Sequence, residues 1–214
     1  MESDARRNFI NAVRLATYDA AHVMVLFGDK ILLGVRASKV SHMRLNAFSS
    51  VNWPKLGQVG VKLQFFQEVS KKAGQHPKLF CGFADKVASI SLIPGMSVDI
   101  LNSMLDDGLK GIILSGFGTG NVPHACLPFL QKAREKQIPV VVRSQCLEGI
   151  TNMGVYETGQ SALNYGAIEA YDMSREATTV KLMWAIHRAK SLKEIQEIMH
   201  RNYAGEIHIG TSVS

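Results

Sequence analysis

The sequence predicts an α/β fold, in which a mixed N-terminal region is followed by a region built on a parallel sheet. Two observations carry the second part. From Lys86 onward, apolar strand-like runs alternate with amphipathic helical runs, the pattern of a parallel sheet with helices packed on it. The runs Ile112-Ile113-Leu114 and Val140-Val141-Val142 are apolar throughout, as strands covered on both faces are. A third observation sets the N-terminal region apart. His22 to Phe27 and Lys30 to Val35 are apolar runs on either side of Gly28-Asp29, which reads as a hairpin.

Asn8 to Thr17 places Phe9, Ile10, Val13 and Ala16 at helical spacing, with Ser3 or Asp4 as candidate N-cap. Val40 to Gly60 mixes helix-like and loop-like signals. Val61 to Asp85 loses periodicity and contains Lys71-Lys72, Gly74 and Pro77, so it reads as a connecting arm. Beyond it the spacing predicts strands at Val87–Ile93, Lys110–Leu114 and Pro139–Val142. Helices are predicted at Ser97–Leu105, Leu127–Lys136, Ser161–Tyr165, Arg175–Ala189 and Ser191–Arg201. The last opens on Ser191-Leu192-Lys193-Glu194, a capping-box pattern.

The 214 residues are 46% hydrophobic and 20% charged, enough for a real core in one large domain or two small ones. No apolar run approaches the roughly 20 residues that span a bilayer. The first residues lack the apolar segment of a secretory signal. Cys81, Cys126 and Cys146 have no framework spacing and read as reduced thiols of a cytoplasmic protein. The net charge of +6 comes from scattered basic residues without interleaved aromatics, which argues against a nucleic-acid surface. His22, His42, His76, His124, His187, His200 and His208 are dispersed and match no metal-ligand spacing.

Several segments carry chemistry. Lys39 follows the hairpin in Arg36-Ala37-Ser38-Lys39, between Ser38 and Ser41, whose hydroxyls are placed to bond its ammonium. Taken alone it reads as a surface lysine; a lysine with tuned basicity can also activate a hydroxyl nucleophile. Gly116-Phe117-Gly118-Thr119-Gly120-Asn121 lies between a strand and a helix. It fails the dinucleotide fingerprint at Asn121, and the next strand ends in Arg143 where an acidic ribose ligand would stand. A tight strand-to-helix turn is the simpler reading. Tyr156-Glu157-Thr158-Gly159 reads as a glycine-flanked loop. Thr178 and Thr179 read as helix-interior threonines bonded to the preceding turn.

In this order, Arg36-x-x-Lys39, Asn46-Ala47-Phe48-Ser49-Ser50-Val51-Asn52-Trp53-Pro54, Gly118-Thr119-Gly120-Asn121-Val122-Pro123, Ser144-Gln145-Cys146-Leu147-Glu148-Gly149 and Tyr156-Glu157-Thr158-Gly159 resemble the L-asparaginase family, its cytoplasmic type I branch in particular. The resemblance runs from about Ser3 to Glu206 and begins partway into the family pattern. The family's Thr-Gly-Gly-Thr-Ile and Gly-Thr-Asp-Thr loops, which carry the nucleophile and its activating partners, have no counterpart in this sequence.

The resemblance implies an incomplete remnant of the family's N-terminal α/β domain at 1–60, a connecting arm at 61–85 and the family's smaller, parallel-sheet α/β C-terminal domain at 86–214. It implies hydrolysis of L-asparagine, or a similar small amide, to the acid and ammonia without a metal or organic cofactor, with Lys39 as the retained catalytic residue. Asn121 and Tyr156 would be lent across a dimer interface to a neighbour's substrate. Ser38, Ser115 and Cys146 would mark a regulatory pocket, with Ser115 where some relatives have an arginine. Three readings follow. The chain is an asparaginase-type hydrolase inactive by itself, a non-catalytic partner that forms a homo-oligomer or joins a full-length asparaginase, or a small-molecule-binding module using the Gly116–Asn121 turn. Without the family's first strands, residues 1–60 are expected to be poorly ordered or to associate.

Overall fold

The computed structural model describes residues 4–71 and 78–210. Ser3, Lys72, Gly74, His76 and Pro77 lie outside them. The chain divides into two compact units, Met1–Leu79 with Ala204–Glu206, and Phe80–Tyr203 with Ile207–Ser214.

The first unit opens on helix α1, Ala5–Ala16. Asp4 stands at its N-cap but makes no side-chain cap bond. Strands β1 (Met24–Phe27) and β2 (Lys30–Leu33) form the predicted hairpin around Gly28, whose φ of 63° suits the left-handed turn. Strands β3 (Ala37–Lys39) and β4 (Phe48–Ser50) pair separately. β5 (Gly57–Val59) and β6 (Leu63–Phe65) complete an antiparallel sheet in the order β1-β2-β5-β6. The predicted arm therefore contains a sheet strand, β6. Leu15, Ile31, Leu33, Leu56 and Leu63 form this unit's core.

Within residues 4–60, the part expected to be poorly ordered or to associate, α1 and the strands pack around that core. Its helix does not bury the face that its sequence pattern predicts. Phe9 is 71% exposed, while Asn11 and Leu15 point inward.

The second unit is the predicted parallel sheet. Strands β7 (Val87–Ser91), β8 (Gly111–Gly116), β9 (Val140–Ser144) and β10 (Ala167–Glu169) stand side by side in sequence order. Helices α2 (Val98–Asp106), α3 (Leu127–Glu135) and α4 (Glu157–Asn164) connect them. Each crossover steps the same way, so a uniform right-handed connection puts all three on one face. Helices α5 (Arg175–Arg188) and α6 (Leu192–His200) follow.

Side-chain alternation along the strands sorts the core into two layers. Ile112, Leu114, Val140 and Val142 pack with Leu101, Phe129 and Ala162 from α2, α3 and α4. Ile113, Val141 and Ile168 pack with Leu182, Ala185, Ile195 and Met199 from α5 and α6. Caps fix the ends of the last two helices. Ser174 accepts from the Ala177 amide and Ser191 from the Glu194 amide. The capping box is displaced by one residue, since the Glu194 carboxylate accepts from the Lys190 amide at 2.8 Å. Thr178 and Thr179 bond back to the carbonyls of Ser174 and Arg175, both at 2.8 Å. Among the described residues no helix is long and apolar enough to cross a membrane.

Candidate functional site

The carboxyl ends of β8, β9 and β10 bring together most of the residues that the sequence singles out. Open parallel sheets place ligands outside these ends, because the loops there diverge from a rigid base. β8 runs into a closed turn. The Phe117 amide donates to the Asn121 carbonyl at 3.0 Å, and the Asn121 amide to the Phe117 carbonyl at 2.8 Å. Gly120 has φ 97°, and a Cβ there would lie 3.1 Å from Thr151 Cγ2 and 3.2 Å from Met153 Cγ. The glycine pattern thus serves a tight turn packed against the loop that follows β9.

That turn presents Asn121. Thr158 Oγ1 donates to Asn121 Oδ1 at 3.0 Å, which fixes the orientation of the amide. Thr158 and Glu157 lie in the first turn of α4, and Tyr156 is its N-cap residue with a half-exposed ring. The segment read from sequence as a loop is therefore a helix start, and the helix begins four residues before the predicted Ser161. Asn121 and Tyr156 are held within one local structure, tied by a threonine that sequence reasoning did not single out.

Ser115 and Cys146 are linked through Arg143. Ser115 is buried, and its Oγ accepts from Arg143 Nη1 at 3.0 Å. Arg143 Nη2 donates to the Cys146 carbonyl at 3.5 Å, and Arg143 Nε is buried without a hydrogen-bond partner. Burial, with Arg175 nearby, lowers the guanidinium pKa from its ordinary value. The Cys146 amide donates to Ser144 Oγ, which donates in turn to the Gly118 carbonyl at 2.6 Å. Where the resemblance expects an arginine at Ser115, this chain carries a buried arginine on the neighbouring strand. Cys146 itself is exposed.

Glu169 is a further residue without a sequence signal. It ends β10, and its Oε1 accepts from the Met153 amide at 2.8 Å, bracing the 151–153 loop against which Gly120 packs. Burial raises its carboxyl above the ordinary range, partly offset by the bonds from the Met153 amide and the Thr151 hydroxyl. His200 Nε2 lies 3.1 Å from the Glu169 carbonyl, and burial lowers its pKa.

Lys39 and Ser38 belong to the first unit. On β3 the strand's alternation turns Ser38 into the interior and Lys39 to solvent. Of the expected hydroxyl partners, Ser41 is engaged elsewhere: its Oγ accepts from the Met43 and Arg44 amides, both at 3.2 Å. Arg36 is fully buried, donates through Nε to the Gly205 carbonyl at 2.6 Å, and stands 5.2 Å over the Trp53 ring. Within the Arg36-x-x-Lys39 motif the arginine is a structural anchor.

A groove of about 480 Å³ lined by Gln131, Arg134, Glu135, Gln137, Asn164 and Tyr165 contains none of the predicted residues. No group of three or more metal-ligating side chains converges among the described residues.

The residues of the site sit in a recognisable framework. Residues 86–199 match the glutaminase/asparaginase C-terminal domain, and residues 1–71 match the asparaginase N-terminal domain. The chain belongs to the asparaginase family. An L-asparaginase of Thermococcus kodakarensis is 39% identical over 209 residues, covering 96% of this chain and 63% of that protein. The solved structure of a thermostable L-asparaginase from Thermococcus kodakarensis, 36% identical, superimposes with a TM-score of 0.92, and the match covers 98% of this chain and 64% of that one. L-asparaginase I from Vibrio cholerae superimposes with a TM-score of 0.89 at 31% identity. One subunit of the glutamyl-tRNA(Gln) amidotransferase from Pyrococcus abyssi is 35% identical over 215 residues, covering 96% of this chain and 49% of that protein. The chain thus spans about half to two thirds of the length of these relatives.

Proposed function

We propose that the chain provides part of the machinery of an asparaginase-type amidohydrolase, acting on L-asparagine or a similar small amide in the cytoplasm. The Thr158–Asn121 hydrogen bond carries this reading, because it holds an otherwise free carboxamide in one orientation at the mouth of the sheet. An oriented amide, with Tyr156 two residues before the threonine that holds it, suits recognition of an amino acid's charged groups. In this reading both residues serve a neighbouring subunit's site, in a homo-oligomer or with a full-length asparaginase. Lys39 assists proton movement at the chain's own site. Ser38, Ser115 and Cys146 belong to a regulatory region in which Arg143 supplies the cation. The unpaired thiols accord with a reducing compartment. The nucleophile would come from family loops outside the span that this chain covers, so the chain alone is expected to be inactive.

The 35% identity to the amidotransferase relative favours a second reading. The same machinery would then release ammonia from an amide for a coupled transfer onto a charged tRNA.

A chimera tests the reading. The segment of the Thermococcus L-asparaginase left outside the alignment is fused ahead of residue 4, and ammonia release is measured with L-asparagine and with L-glutamine. Release that falls to background in Lys39→Ala supports the assignment. A folded chimera with no release from either amide overturns it. Lysine-dependent release by the unfused chain would place a nucleophile within these residues.

A further inference from the structure

We propose that Glu169 is a positioning residue for Asn121 that acts through the Thr151 hydroxyl, so that the proton on the Glu169 carboxyl sets how the Asn121 carboxamide is presented.

The 151–153 loop stands between the two. Its backbone amides are all tied: Thr151 donates to the Tyr171 carbonyl at 3.1 Å, Asn152 to the Thr119 carbonyl at 3.1 Å and Met153 to Glu169 Oε1 at 2.8 Å. The loop also touches both structures that fix Asn121. Thr151 Cγ2 and Met153 Cγ lie against Gly120, which precedes Asn121. The Met153 carbonyl lies so close to Gly159 that no Cβ fits there, and Gly159 follows Thr158, whose hydroxyl holds Asn121 Oδ1. Thr151 and Met153 are buried, and a close-packed interior leaves no slack to absorb a displacement.

The Thr151 hydroxyl has a single proton and two acceptors for it. Tyr171 is a non-glycine residue in the left-handed region, with φ 52°, a conformation that persists only where its surroundings hold it. There its carbonyl accepts from Thr151 Oγ1 at 3.3 Å as well as from the amide. The other acceptor is the Glu169 carboxylate. A hydroxyl donates once and can accept at the same time. With Glu169 neutral, its O–H donates to Thr151 Oγ1, whose own proton goes to Tyr171, and every group is satisfied. With Glu169 ionised, the carboxylate is acceptor-only and draws the Thr151 proton to itself, because a charged acceptor makes the stronger bond. The Tyr171 carbonyl then keeps only the amide. The proton on Glu169 thus decides which neighbour holds Thr151.

The surroundings leave that proton in control. On β9 Glu169 is paired with Val142, and the buried residues of α4 are Gly159 and Ala162; none of these titrates. The Tyr171 phenol is the titratable neighbour. His200 of α6 bonds the backbone carbonyl of Glu169, with Lys181 of α5 beside the ring. Among the described residues no cation pairs with the carboxyl, and burial favours its neutral form. That Asn121 faces a ligand rests on the proposed function. The titration below needs no turnover, so a chain without activity still answers it, and a flat titration leaves the amidohydrolase reading standing.

The test follows the backbone and side-chain amide signals of the isotope-labelled full chain by NMR as pH is varied. In the native chain the Met153, Gly120 and Asn121 signals should move together, with a common midpoint above the ordinary glutamate value. Glu169→Gln puts a permanent donor and acceptor where the neutral carboxyl stands. Its Gly120 and Asn121 signals should stay at the native chain's low-pH positions throughout. Thr151→Val keeps the methyl packing against Gly120 and removes the hydroxyl. Met153 should still titrate in this variant, while Gly120 and Asn121 lose their shift. A merely structural Glu169 would leave Gly120 and Asn121 indifferent to pH, and that result overturns the proposal. A pH response of Asn121 that survives in Thr151→Val overturns it as well. Should Glu169→Gln fail to fold, the comparison with Thr151→Val decides alone.

Discussion

Gly120→Ala tests whether the Asn121 turn owes its shape to packing against the 151–153 loop. At φ 97° an L-residue is strained, and the left-handed region costs about 1–2 kcal/mol. The added Cβ would also lie 3.1 Å from Thr151 Cγ2 and 3.2 Å from Met153 Cγ. Both neighbours are 1% exposed, so neither can retreat into solvent. Overpacking in a closed site adds about 1–3 kcal/mol, for a loss of about 2–5 kcal/mol in all. Gly118→Ala is the internal control. Gly118 has φ 51°, and a Cβ added there would meet nothing within 4 Å, so only the backbone cost of about 1–2 kcal/mol applies. Urea unfolding gives both values, read from Trp184 of the second unit in a Trp53→Phe background. If the two alanines shift the midpoint equally, the 151–153 loop does not support the turn and the packing account of the site fails.

Three other outcomes follow from the same contacts. Thr158→Val removes the donor to Asn121 Oδ1, worth about 1 kcal/mol. It should lower the chimera's kcat/KM by about fivefold, with no further loss when added to Asn121→Ala; additive losses would mean the two residues act separately. Glu169 has a raised carboxyl pKa from burial. Its stabilising contribution is therefore complete below the unfolded carboxyl pKa of about 4.3 and is lost as pH rises through the folded value. Relative to Glu169→Gln, the native chain should lose stability over that interval in urea titrations at successive pH, and a pH-independent difference would contradict the burial. Ser191→Ala removes the N-cap acceptor of the Glu194 amide and should cost about 1 kcal/mol in the same unfolding assay; an unchanged midpoint would show that the Glu194–Lys190 bond alone holds the helix start.

The parallel sheet was legible because its strands are apolar on both faces and its helices are long enough to show a period. β10 escaped because Ala167–Glu169 is three residues long and ends in a glutamate; its burial depends on lying beside β9. The start of α4 was misplaced because Gly159 interrupts helical propensity within its first turn. The chemistry of the site was legible as residue types and not as contacts. Asn121 and Thr158 are 37 residues apart, and Ser115 and Arg143 are 28 apart on adjacent strands. Neither pairing leaves a local pattern, because each is created by strand order.

At α1 the sequence and the structure disagree in an informative way. The periodic placement of Phe9, Ile10 and Val13 predicts a helix with a buried apolar stripe. The helix forms, but the stripe stays in solvent and the buried positions are Asn11 and Leu15. Local propensity and the Asn8–Gly28 bond suffice to set the helix against its hairpin. Neither accounts for three large apolar side chains on the outer face. An amphipathic stripe marks a surface whose apolar cover lowers the free energy. Exposed beside the β1 edge, that stripe is apolar surface that the described residues leave uncovered. The same reasoning separates α1 from α6, where the apolar positions Ile195 and Met199 are buried within the second unit's core and no outside cover is implied.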